Sequence, residues 1–438
     1  MSETEIDPRQ PDAYTESLIR LGQAENCIAQ EDIYNEFGVL LIRKGAVIHD
    51  KAADQLMAHR LDKPIDDLIG LQKRLNGRNL FAVYQRLMTH QPDLGFLLSD
   101  ENTAVLVRHL CMHRELHGGM AQKLTVMMRT RHALFERTLA GAALAVLIGR
   151  EAGLSPGVLT TLFEAAMLRD IALLHVSVKE GAPEWLQHQQ IPSHALNSAR
   201  LVGDSPYYPE DVVDLIRYHH ERPDGLGEPA GVVTAGRTHL IALELADRAW
   251  SHLRQWFPTG PVPLISLVPW LRAQVRGAGA DVAQAFIRIL TREPLPQPMP
   301  DMGDPEKLRV RLLQRALLVS QVFSLLTLLH DGLVKARSPM AETAQTLMGY
   351  VTESGFGNLE SIELITEKGD MGMPAEEMLE VEMAQAVYLE RAWRLAHRVR
   401  TQAGMPEDVL EVVTELTGLL DDADRRAWWS VAATEETV

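Results

Sequence analysis

Apolar and polar positions along the chain change period several times, and each change marks an element. Between Glu31 and Leu61 two short apolar runs flank a turn at Asn35 to Gly38, and a helical period follows, which predicts a small β-hairpin and helix over 24–63. From 64 to 130 apolar residues recur at i, i+3 and i+4 with few breakers besides Pro92 and Gly95, so helices are expected. The stretch 131–255 is again helical, with Gly153-Leu154-Ser155-Pro156 as a stop followed by a fresh start at Pro156. Five prolines between Arg292 and Pro305 predict a linker closing an extension over 256–305. Amphipathic helices with acidic faces resume over 306–438, punctuated by Gly355, Gly357, Gly369 and Gly372. Residues 1–23 read as an acidic tail.

Composition sharpens this reading. A chain of 438 residues exceeds what one core usually fills, so two or three domains are expected. Aromatic residues make up only 5%, which disfavours an all-β sandwich and predicts a mostly α protein. A formal charge of −16 argues against nucleic acid or an anionic membrane as partner through bulk charge, so a phosphate ligand needs a local site. Cys27 and Cys111, the two cysteines, fit a reducing compartment and leave no Cys-based zinc site. The N-terminus has no apolar leader, and the longest apolar stretch, LLQRALLVSQVFSLLTLLHDGL, is interrupted by Arg315 and Gln321. A buried amphipathic helix in a cytoplasmic protein is expected.

Of the 16 histidines, most are scattered singly. The informative stretch is DVVDLIRYHHERPDGLGEPAG, where adjacent His219 and His220 end a predicted helix and lead into a Gly/Pro-rich loop. Neighbouring imidazoles point about 100° apart on a helix, so both ligate only if they serve neighbouring metals or sit at a helix end. His330-Asp331 in LLTLLHDGLVKA lacks paired histidines downstream, and Gly332 there predicts a helix C-cap. Met120, Met127 and Met128 are read as core residues.

HHERPDGLGEP resembles the HHERxDGxGYP motif of HD-GYP domains, bacterial metal-dependent phosphodiesterases of cyclic di-GMP, with Glu228 in place of Tyr. RTHLIALELADRAW resembles the family's ARIIxVADxxDA helix and puts Asp247 at a metal carboxylate. HALNSARLV resembles HPxxGxxLL and puts His194 at a ligand, with Ala195 and Ser198 for Pro and Gly. AGLSPGVLTTLFEAAMLRDIALLHV resembles LGLxxxxLxxLxxAALLHDIGK, but the His-Asp pair is Arg169-Asp170 and the following Lys is Leu173. Spacing places Arg137 where another metal-binding His opens a helix; His132 lies five residues earlier, about 140° round. DIYNEFGVLLIRKGAVI resembles a small module that precedes such domains.

The resemblance, over about 30 residues near the start and about 120 in the middle, implies a central HD-type helical bundle over 131–255, between a hairpin-containing N-terminal module and a C-terminal helical domain. It also implies a vestigial site for one or two Fe or Mn ions on Asp170, His194, His219, His220 and Asp247, beside a ligand-binding set of Arg137, Arg169, Glu221, Arg222, Asp224, Gly225 and Gly227. Guanidinium cannot ligate, and a fixed positive charge 5 Å from a divalent ion costs on the order of 6 kcal/mol at an effective dielectric of 20. Two further arrangements are open: the arginines pair with Asp170 and Asp247, or they bind nucleotide phosphates. The expected function is a degenerate HD-GYP-like signalling protein, sensing a nucleotide such as cyclic di-GMP or binding a protein partner or itself through the C-terminal helices. The alternative is an active cyclic di-GMP phosphodiesterase.

Overall fold

The computed structural model describes residues 6–113, 116–177, 193–275, 277, 279–298, 305–356 and 375–421. The expected mostly α architecture is present, with a two-stranded hairpin as the sheet among the described residues. Helices are α1 (Ala13–Ala24), α2 (Asp50–Ala58), α3 (Ile65–Leu68), α4 (Gly77–His90), α5 (Pro92–Ser99), α6 (Glu101–His113), α7 (Gly118–Thr130), α8 (His132–Glu151), α9 (Pro156–Leu168), α10 (His194–Gly203), α11 (Glu210–Arg217) and α12 (Thr238–Trp256). They continue as α13 (Leu267–Gln274), α14 (Ala280–Thr291), α15 (Pro305–Lys335), α16 (Met340–Ser354), α17 (Ala375–Thr401) and α18 (Glu407–Leu420). The chain divides into two compact units: residues 1–220 with 242–251, and residues 221–241 with 252–438.

In the first unit the hairpin pairs β1 (Ile33–Tyr34) with β2 (Leu40–Ile42) in antiparallel register. Asn35 closes its turn, its side-chain oxygen accepting from the amides of Phe37 and Val39 at 3.0 and 2.9 Å, with Gly38 at φ +75°. Half of the expected N-terminal tail is α1, because Asp12 caps it and Tyr14, Leu18 and Ile19 form one buried stripe. Its start is tied inward by a buried chain of polar contacts. Asp12 meets Nδ1 of His175 at 2.6 Å, His175 Nε2 lies 3.2 Å from Lys123, and Lys123 pairs with Asp66 at 2.8 Å. Met120 and Met127 bound the buried run of α7, while Met128 is half-buried.

α8 is buried along almost its whole length, which its Ala- and Gly-rich sequence permits. A Cβ at Gly149 would stand 2.9 Å from Leu154 and 3.1 Å from Leu159, so glycine lets α9 pack close. Pro156 opens α9 at a position whose amide needs no partner. α9 ends at Leu168, and a 3-10 turn follows over Ile171–His175.

In the second unit, α15 buries Val319, Val322, Leu326, Leu329 and Leu333. That 3–4 spacing is the seam of a helix packed lengthwise on its neighbours. Tyr388, Ala392, Leu395 and Val399 of α17 and Val409, Val413 and Leu416 of α18 complete the core. The predicted cap at Gly332 is corrected: α15 runs on to Lys335, and Gly332 lies inside it. A Cβ there would stand 2.7 Å from Val409, so its smallness serves helix contact. Pro305 of the proline cluster is the first residue of α15; Pro300, Gly357, Gly369 and Gly372 lie outside the described residues. Among the described helices α8 and α15 are long and apolar enough to cross a membrane, but most of α8 is buried among protein side chains.

Candidate metal centre and guanidinium cluster

Three segments of the first unit meet around Asp170. The carboxylate follows the last turn of α9, His194 is the first residue of α10, and His219 and His220 lie just beyond α11. Because the two adjacent imidazoles sit past the helix end, helical geometry no longer separates them, and both turn to one place. Ring nitrogens of His194, His219 and His220 all lie within 4.8 Å of one another, with His220 Nε2 3.0 Å from His194 Nε2. Asp170 Oδ1 is 3.4 Å from His194 Nε2 and 3.8 Å from His219 Nε2.

A local hydrogen bond sets the tautomer of His219. The Ile216 carbonyl, which only accepts, lies 2.7 Å from Nδ1 of His219. It therefore fixes the proton there and leaves the Nε2 lone pair facing Asp170. Both oxygens of Asp170 and Nε2 of His219 are buried without a hydrogen-bond partner. Burial pushes His219 down to about 4 and His220 well below its ordinary value, so both are neutral near pH 7. Burial opposes the charge on Asp170, but Arg137 and Arg169 outweigh it and hold the acid well below the usual carboxylate range. An ionised carboxylate with neutral imidazoles is the donor set of a divalent transition metal. The orphaned atoms fit such an ion, which Asp170, His194, His219 and His220 would hold.

Asp247 has a different fate. Arg137 grips it in a fork, Nη2 to Oδ2 at 2.7 Å and Nε to Oδ1 at 3.1 Å. Arg169, with no solvent exposure, adds Nη2 and Nε to the same Oδ1 at 2.8 and 3.1 Å. Its Nε also lies 3.4 Å from Asp170 Oδ2, and its remaining N–H groups face the carbonyls of Ala166 and Arg137. Burial again opposes ionisation of Asp247, and the two guanidiniums hold it well below the ordinary range. The charges of Arg137, Arg169, Asp170 and Asp247 sum to zero with no cation present. Arg137 occupies the inward face of α8, whereas His132, at its start, is exposed.

The remaining sequence-selected residues lie in the second unit, in the loop that begins directly after His220. Glu221 is buried and accepts from the amides of Ala230, Gly231 and Val232 at 2.6, 3.0 and 2.8 Å. Arg222 lies 3.2 Å from both Asp224 and Glu390. Gly225 takes φ +70° after the turn, and Gly227 is buried beside it.

Two contributors escaped the sequence reading. Gly141 makes room for Arg169, and a glycine four residues after Arg137 within a helix was the available signal. Ser198 accepts from the Ala172 amide at 3.1 Å, tying α10 to the turn after Asp170; nothing in the sequence announces that contact.

Comparison with curated proteins and with solved structures found no match. A family model does match, and it spans Arg137, Arg169, Asp170, His194, His219 and His220. Residues 105–235 match the model of the HD domain, so this part of the chain is similar to a superfamily of metal-dependent hydrolases.

Proposed function

We propose that this protein is a degenerate, HD-GYP-like cytoplasmic signalling protein whose HD domain keeps one cation site and has impaired catalysis. The observation that carries the reading is the double occupation of Asp247 by Arg137 and Arg169. Two guanidiniums bring the same charge as one divalent cation to that carboxylate but no vacant coordination position. The first site, on Asp170, His194, His219 and His220, would take one Fe or Mn ion, which supplies Lewis-acid catalysis when bound. With a single ion the site lacks the paired clamp that stabilises both attacking and leaving oxygens of a phosphodiester. The protein then acts by binding, through a protein partner or self-association of its C-terminal helices.

Residual phosphodiesterase activity toward cyclic di-GMP is the second reading, favoured by Asp170 oxygens and a His219 Nε2 that accept no hydrogen bond and by the HHERPDG loop. Anaerobic incubation of the protein with Fe(II) or Mn(II) and cyclic di-GMP, beside a His219→Ala/His220→Ala variant, separates the two. Binding without turnover is expected. Linear dinucleotide or GMP formed by the wild type alone would establish the enzyme.

A further inference from the structure

The loop that follows the histidine pair is held by α17 through charged side chains two turns apart. Arg222, only 2% exposed, lies 3.2 Å from Glu390, and Asp224 lies 3.5 Å from Arg391. Arg398, two turns beyond Glu390, donates to the carbonyl of Ala230. Arg394 braces Glu390 at 2.8 Å. The loop is also closed on itself: Glu221 gathers three amides, and the amides of Gly225 and Thr234 donate to the Arg222 carbonyl at 3.0 and 3.3 Å. Leu226 inserts into the same apolar core as Leu395 and Val399. This loop is therefore anchored on α17 by both ion pairs and apolar packing. His220 and Arg222 are two residues apart, so their Cα atoms are separated by at most about 7 Å of chain.

We propose that Glu390, supported by Arg391, is a positioning residue for the candidate cation site: by anchoring Arg222 and Asp224, α17 sets where the His219–His220 pair stands. This deepens the reading of Asp170 and the three histidines as a cation site and rests on it. It makes the C-terminal helices a control element, because whatever displaces α17 pulls on two ligands through a single peptide link. Outer groups that orient metal ligands typically change affinity 10- to 100-fold when removed.

The test is Mn(II) titration of the full chain by calorimetry, with hydrogen exchange at residues 230–232 followed in parallel. Glu390→Ala should weaken Mn(II) binding at least 10-fold and speed exchange at those amides, Glu390→Asp should recover most of both, and Glu411→Ala, an exposed change on α18, should alter neither. If Glu390→Ala does not fold, Arg391→Ala, which leaves the Arg222–Glu390 pair in place, should give a several-fold loss. A folded Glu390→Ala protein with wild-type affinity and exchange overturns the proposal, as does an equal loss in Glu411→Ala. Wild-type protein that takes up no Mn(II) overturns the cation reading instead. Exchange at 230–232 then decides the anchoring alone, and unchanged exchange in Glu390→Ala refutes it.

Discussion

Gly141 stands one turn beyond Arg137 on α8, and a Cβ there would lie 2.7 Å from Nη2 of Arg169. The missing side chain is the space that the second guanidinium occupies. Gly141→Ala should therefore destabilise the protein by about 2–4 kcal/mol despite alanine's better helix propensity, because it displaces a buried ion pair. Urea unfolding measures this; an unchanged or raised midpoint would mean that Arg169 moves aside freely.

Removing the shared carboxylate should cost more than removing metal. Asp247→Asn leaves two buried guanidiniums facing a neutral amide and should lower stability by roughly 3–5 kcal/mol. Chelator treatment of the wild type leaves the four fixed charges balanced, so its thermal transition should stay cooperative. Unfolding on chelation would show that the cation, not the guanidinium cluster, supports the core.

Restoring imidazole at both arginine positions tests the division of the site. Arg137→His/Arg169→His should release Asp247 and raise Mn(II) stoichiometry from one to two per chain, measured by elemental analysis after gel filtration. The metal-free variant should also be less stable than the metal-free wild type, since Asp170 and Asp247 lose their counter-charges. A stoichiometry that stays at one would place the obstacle to a second ion elsewhere than in these guanidiniums.

His175 supplies a pH dependence outside the candidate metal centre. Burial, then the nearby Lys123 cation, depress its proton affinity below the ordinary value despite the Asp12 carboxylate. The folded state thus keeps it neutral where the unfolded chain takes up a proton, and stability should fall as pH drops below about 6.5. The Asp12 contribution runs at lower pH: its carboxyl, held down against burial chiefly by the His175 hydrogen bond, loses its stabilising effect only below about 4. Denaturation midpoints at pH 7.5 and 5.5, both with chelator, should differ less in His175→Gln than in the wild type. An identical difference would exclude His175 as a contributor.

Much of the local organisation was legible along the chain. The turn chemistry of Asn35 to Gly38, the stop at Gly153 with the restart at Pro156, and the apolar period over 64–130 are short-range features, governed by backbone sterics and by which face must leave water. The histidine pair at a helix end was legible for the same reason. Gly332 was misread because a glycine that ends a helix and a glycine that admits a neighbouring helix look alike until Val409, 77 positions away, is in place.

What the sequence determined by itself is the helical class, the punctuation of its elements and the chemical repertoire near the centre: imidazoles, carboxylates and two cations that cannot ligate. Tertiary structure decided how that repertoire divides. Asp170 and Asp247 are the same group, and no local pattern tells which one faces imidazoles and which faces guanidinium. Packing α8 against α9 brings Arg137 and Arg169 to one carboxylate over separations of 110 and 78 residues. In a buried site each charge must find its counter-charge: both guanidiniums close on Asp247, Arg169 Nε also stays 3.4 Å from Asp170 Oδ2, and Asp170 Oδ1 is left facing the imidazoles of His194 and His219.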